Sequence, residues 1–254
     1  AFAEVMHTAL SYFQAGRAEA GYKLLKSSVL DGMYLGDSPG NFGQISFYDA
    51  ARGECYRDFG DPIGVASRVL IQGLFGILPD ALNQQIILRP GFPDDWDKAS
   101  VSTPDISYRF TRKEDTDTYH ITQRFQTPLH PVLQINARKE KIRSVKVNDV
   151  PATWQSIESA HGYPLLSIQA EGTSSTTITI EWEGAPLHTL AAQEPVIASN
   201  GKLALQIPSG ASISQVYDPQ SVLAKHTVEA TAFNAQLKGE PGHHTFFVYT
   251  HQGE

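Results

Sequence analysis

The hydrophobic period of this chain switches once, near Pro79, and that switch narrows the folds open to it more than any other feature. Upstream, apolar residues recur every three or four positions, the spacing of one helix face. Downstream they alternate, the spacing of one strand face. Helices first and strands afterwards make a modular chain, and a doubly wound α/β fold, which interleaves the two, is excluded.

Upstream, Phe2, Val5, Met6, Ala9, Leu10 and Phe13 predict one apolar helical stripe. Gly16 breaks it, and a second helix begins near Arg17 and carries Leu24, Leu25 and Val29. So short a turn makes an αα-hairpin. A third helix is expected from Gly60, with Asp61 as N-cap and Pro62 at the first helical position. It presents Val65, Val69 and the run from Ile71 to Phe75, and Gly76 stops it. Between them, residues 31–60 show no period but hold Tyr34, Phe42, Phe47, Tyr48, Tyr56 and Phe59, which predicts an ordered and functional loop.

Downstream, Ile86 to Leu88 reads as a short strand, and a turn rich in Pro, Gly and Asp follows up to Trp96. Ile106, Tyr108 and Phe110 alternate, as do Ile178, Ile180 and Trp182, while Val145 and Val147 run into an Asn148-Asp149 turn. Short, regularly spaced strands predict an antiparallel β-sandwich. After a joint at 187–194, strands are expected over 202–207, 212–216, 227–232 and 245–250, a second small β unit of immunoglobulin-like kind. The expected divisions are therefore 1–80, 81–190 and 191–254.

A net charge of −7 argues against nucleic acid or an anionic membrane as partner. The single cysteine, Cys55, permits neither an internal disulfide nor a cysteine-built metal site. No apolar run is long enough to span a membrane as a helix, and no nucleotide-binding string occurs. No metal or cofactor is called for, although the turn at 93–97 is Asp-rich. Gly36-Asp37-Ser38-Pro39-Gly40 matches a nucleophile elbow as a string, but Pro39 lacks the N–H that an oxyanion hole needs. His243 and His244 are adjacent, so on a strand they face opposite ways.

The densest polar stretch is 48–61. Glycoside chemistry needs two carboxyl groups across the scissile bond, with aromatic platforms beside them. Glu54, Asp58 and Asp61 are the catalytic candidates, and Tyr48, Arg52 and Arg57 the substrate-binding ones. The competing reading pairs these acids with Arg52 and Arg57 to stitch a loop, with Asp61 only a cap. Among the tryptophans, Trp182 reads as core, while Trp96 and Trp154 are open to either sugar stacking or packing.

The run from Gly60 to Pro79 resembles the final helix of (α/α)6-barrel glycosidases, and the run from Ile86 to Trp96 resembles their exit into a C-terminal β-sandwich. The pattern is similar to α-L-rhamnosidases and disaccharide phosphorylases, and to secreted proteins of gut Bacteroidetes type. The resemblance implies the last helices of a six-hairpin α/α toroid followed by sandwich units, in a carbohydrate-active protein, a glycoside hydrolase, that is periplasmic or secreted. Its partners would be carbohydrate and an N-terminal remainder or second chain completing the barrel, since the N-terminal helix is expected to lack partners here. On that reading these residues alone are inactive. The alternative is a non-catalytic carbohydrate-binding or scaffolding protein, which needs aromatics more than carboxylates.

Overall fold

The computed structural model describes residues 2–35, 60–157, 164–187, 195–207 and 210–253. Three α-helices are present among these residues: α1 (Phe2–Gln14), α2 (Ala18–Val29) and α3 (Gly60–Arg68). Both α2 and α3 continue into one wider π-helical turn, Leu30–Leu35 and Val69–Leu74. Residues 31–35, expected as loop, are therefore helical. Among the described residues after Gly76 there are strands in four sheets, turns and one short 3-10 helix, Ala81–Asn83.

This architecture overturns the barrel expectation. The described chain is mostly β, and its three helices do not form part of an α/α toroid. The physical reason lies in what the helices bury. Met6, Ala9, Leu10 and Phe13 of α1 are at most 4% exposed, so the stripe expected to want outside partners finds them within the chain. The Phe13 ring lies in a cradle of three glycines from three segments, Gly21, Gly73 and Gly91, where a methyl group would come within 3.0, 2.7 and 2.3 Å of it. The last of the three comes from the turn after β2 (Gln85–Leu88), so the end of α1, which packs on α2, α3 and the turn after α3, also reaches the β layer.

The chain divides into two compact units, residues 1–137 with 143–181, and residues 138–142 with 182–254. The first holds the helices and most of two sheets. The five-stranded sheet runs β1 (Ile77–Asp80), β2, β6 (His130–Asn136), β10 (Leu165–Gln169), β9 (Gln155–Ile157). Its β2–β6 pair is parallel, while β1–β2, β6–β10 and β10–β9 are antiparallel. The six-stranded sheet runs β3 (Lys98–Ser102), β4 (Ile106–Lys113), β5 (Thr116–Gln123), β11 (Ser175–Pro186), β7 (Lys139–Val147), β8 (Val150–Pro151). Inward residues alternate on both, Ile86, Leu88, Leu133 and Ile168 on one and Phe110, Ile121, Ile178 and Ile180 on the other, each no more than 1% exposed.

An aromatic train joins the helices to this core. Tyr22 of α2 meets Trp96 edge-on at 5.1 Å, Trp96 stacks with Phe92 at 6.0 Å, and Phe92 stacks with Phe110 at 5.2 Å. Arg112 holds the turn that carries Trp96. Its Nε and second Nη donate to the two carboxylate oxygens of Asp117 at 2.7 and 3.1 Å, and its Nη1 donates to the Asp94 carbonyl at 3.1 Å. Burial opposes the guanidinium charge, yet the hydrogen bond and charge of Asp117, with lesser help from Tyr119 and Asp94, raise its pKa above the ordinary value. Tyr108 is buried with no hydrogen-bond partner for its hydroxyl among the described residues, and burial pushes that hydroxyl well above its ordinary range.

The outward face of the six-stranded sheet is polar throughout strands β3, β4, β5 and β11. Register sets Ser102, Ser107, Thr122 and Ser175 in one row, and Lys98, Thr111, Thr118 and Thr179 in another. Between them lie Ser100, Arg109, His120 and Thr177.

The second unit contains a three-stranded sheet, β12 (Lys202–Gln206), β15 (Ala232–Leu237), β14 (Leu223–Val228), and a two-stranded ribbon of β13 (Ala211–Tyr217) and β16 (Phe247–Gln252). The strand expected over 227–232 is broken: 227–228 end β14, 229–231 form the joint and Ala232 opens β15, with Glu229 N–H donating to the Ala232 carbonyl at 2.8 Å. Phe233 is wholly buried in this unit's core with Leu203, Val222 and Leu223, and Ile213, Val216 and Val248 pack against it.

Candidate functional site

The ribbon is built so that three large aromatic rings end up in solvent. Along β16 the chain alternates, Val248 toward the core and Phe247, Tyr249 and His251 outward. On β13 the register shifts between Ile213 and Gln215, a β-bulge. The extra residue puts both Ile213 and Val216 on the inner side while leaving Gln215 and Tyr217 exposed. Pairing then brings Tyr217 opposite Phe247 and Gln215 opposite Tyr249. The Tyr217 and Phe247 rings stack with centroids 6.1 Å apart and planes 21° from parallel.

Tyr217, Phe247 and Tyr249 are 50%, 36% and 44% exposed, although burial would be favourable for each. Phe247 and Tyr249 lie two residues apart on one face, about 6.8 Å along the strand. Gln215 supplies an amide and His251 an imidazole on the same side, while Ser214 donates to the Tyr249 carbonyl at 3.2 Å and steadies the strand. Flat apolar rings edged by hydrogen-bonding groups are the combination that recognises a ligand with an apolar face and a polar rim.

Tyr48, Arg52, Glu54, Arg57 and Asp58 lie outside the described residues. Asp61 falls within the first turn of α3, which begins at Gly60, and its side chain also lies outside the description. Trp182 is 1% exposed, as a core residue should be. Trp96 is half-buried between Tyr22 and Phe92 and so packs, while Trp154 is half-buried. The Asp-rich turn at 93–97 is tied by protein groups: Asp94 N–H donates to Glu19 at 2.9 Å and its carbonyl accepts from Arg112. Among the described residues no group of three or more His, Cys, Asp or Glu side chains could hold a metal ion, and no helix is long and apolar enough to cross a membrane.

Neither Tyr217, just beyond the strand expected over 212–216, nor Phe247, within that expected over 245–250, stood out as a candidate in the sequence. The signal was present in the alternation of Phe247, Tyr249 and His251 against Val248 and Thr250, with the aromatics on the side that should be polar.

No family model matches the chain, and no curated protein matches it. Among solved structures it is similar to an α-L-rhamnosidase from Dictyoglumus thermophilum, with a TM-score of 0.44 and 14% identity over 72% of this chain. The match covers 21% of that structure's chain, so this sequence corresponds to about a fifth of its length.

Proposed function

We propose that this chain binds carbohydrate through the ribbon strip of Tyr217, Phe247 and Tyr249. The observation that carries the reading is three exposed aromatics on one face of a two-stranded ribbon, two of them stacked, with Gln215 and His251 beside them. Pyranose rings offer an apolar C–H face to such a platform and hydroxyls to the amide and imidazole. Binding is expected to a subset of soluble plant or bacterial polysaccharides in affinity electrophoresis. Truncating a stacking aromatic costs roughly 0.5–1.5 kcal/mol, so the triple variant Y217A/F247A/Y249A should bind at least about tenfold more weakly. Equal retardation of variant and wild type by every polysaccharide that retards the wild type would remove the ribbon from the account.

A second reading adds hydrolysis in the whole protein and is favoured by the composition of residues 48–61. Glu54 and Asp58 would supply the carboxyl groups, Tyr48, Arg52 and Arg57 the sugar contacts, and the protein would be periplasmic or secreted. In a natural product that hydrolyses glycosides, E54Q and D58N should each lower turnover about a hundredfold, the scale of lost acid–base catalysis, without lowering the melting temperature. Unchanged turnover in both variants would retire that assignment.

A further inference from the structure

The outward face of β3, β4, β5 and β11 belongs to the first unit and shares no residue with the ribbon. Its central row is Ser100, Arg109, His120 and Thr177, with His120 Nδ1 2.9 Å from the Thr177 hydroxyl. The rows on either side are Ser and Thr, apart from Lys98. Neighbouring positions across such a grid lie about 4.8 Å apart and about 6.8 Å apart along each strand. A shallow open depression of about 470 Å³ lies at the β4–β5 end, lined by Thr111, Lys113, Glu114, Thr116 and Thr118.

Charge makes this face unusual in a protein of net charge −7. Lys98, Arg109 and Lys113 have no acidic partner among the described residues, and Arg124 at the end of β5 spends its guanidinium on two neutral acceptors, the Thr103 carbonyl and the Ser107 hydroxyl. Of the acids at this face, Glu181 lies 3.9 Å from Lys146, and Glu114 lines the depression next to Lys113. Four cations thus stand on a bed of hydroxyls with no ion-pair partner among the described residues. A clustering of one sign selects the opposite sign in its ligand.

We propose that this face is a second binding site, and that its occupant is an acidic polysaccharide, a glycan strand carrying carboxylates. The hydroxyl grid matches a polyol, since each Ser or Thr both donates and accepts. The cations are spread out and suit a polymer whose charges are spaced by sugar rings. Nucleic acid fits less well: the face carries no Phe, Tyr or Trp on which successive bases could stack. The inference stands apart from the ribbon reading, because different residues in a different unit carry it.

The test is affinity electrophoresis of the full chain at low salt through gels holding sodium polygalacturonate, a neutral dextran or single-stranded polydeoxythymidylate. Polygalacturonate is expected to retard the wild type, and K98S/R109S/K113S should weaken that interaction at least tenfold with an unchanged melting temperature. Y217A/F247A/Y249A should bind polygalacturonate as the wild type does. Loss of binding in the ribbon variant alone would place the acidic glycan on the ribbon and overturn the proposal. Equal retardation by dextran would overturn the role of charge, and equal retardation by the polynucleotide would overturn the glycan as occupant. No retardation by polygalacturonate would end the proposal while leaving the ribbon's neutral-sugar binding to its own test.

Discussion

Gly76→Ala is expected to destabilise the helix-and-sandwich unit by about 4 kcal/mol, the largest loss from any single methyl group here. Gly76 sits between the turn Val69–Leu74 and β1 with φ at +65°, a conformation that L side chains rarely adopt. The added carbon would lie 1.8 Å from the Arg89 carbonyl oxygen and 2.1 Å from its carbon. Backbone cannot swing away as a side-chain tip can, so the segments around 74–77 and 89–91 must part. The left-handed conformation alone costs roughly 1–2 kcal/mol. Parting also threatens the Arg89 N–H bond to Gly76 at 2.8 Å and the Gly91 N–H bond to Leu74 at 3.0 Å, about 1 kcal/mol each. Gly91 also forms one wall of the Phe13 cradle, so the loss spreads into the packing of α1. For a unit of this size the melting temperature should fall by about 10 °C. Gly64→Ala is the control: its added methyl meets nothing within 4 Å on an exposed helix turn and should stabilise slightly. A melting temperature for the Gly76 variant within about 2 °C of wild type would show that the tight approach is not what holds these segments.

Asp117→Ala is expected to cost about 3–5 kcal/mol, the range for removing one partner of a buried ion pair. The Asp117 side chain is 2% exposed and that of Arg112 23%, and the two meet through two hydrogen bonds. Removing the carboxylate leaves a guanidinium over the Phe110 ring, 5.3 Å from its centroid, without that counter-charge. Arg112 also holds the carbonyl of Asp94, two residues before Trp96, so the indole should lose its fixed setting. The intrinsic fluorescence should shift along with the melting curve. Replacing both partners by apolar residues, Arg112→Met with Asp117→Leu, should recover most of the loss, because it removes both desolvated charges together. Should the double replacement be as unstable as the sum of the two single ones, the cost arises from packing and not from charge.

Much of the local structure can be read from the residues themselves. The stripe of α1, the stop at Gly76, the onset of α3 at Gly60 and the alternation of β4 and β11 follow from period and backbone chemistry, which are local properties. The Asn148-Asp149 turn is equally local, both residues having positive φ. What failed was the inference from helices to a barrel. A helix stripe declares that something must cover it, not what; here Gly21, Gly73 and Gly91 surround its last ring, Phe13, and glycines carry no hydrophobic signal. Strand partners were similarly hidden, since β2 pairs in parallel with β6, and β5 with the distant β11. The ribbon site was obscured by its bulge, which sets Ile213 and Val216 on the same side at a spacing of three and breaks the two-residue rhythm.

The long-range pairing of β5 has a bearing on how the protein comes into being. Thr116 finds its partner in Glu181, and Ser175 its partner in Thr122, so during synthesis β5 waits with a bare edge until β11 has left the ribosome. The helices and β1–β2 emerge earlier and can settle on one another at once. Sheets completed by such late arrivals form slowly and leave sticky intermediates in the meantime. The row of Thr, His and Thr facing outward on β5 is suited to that interval: it keeps one side of the waiting strand wet while the other awaits its neighbour.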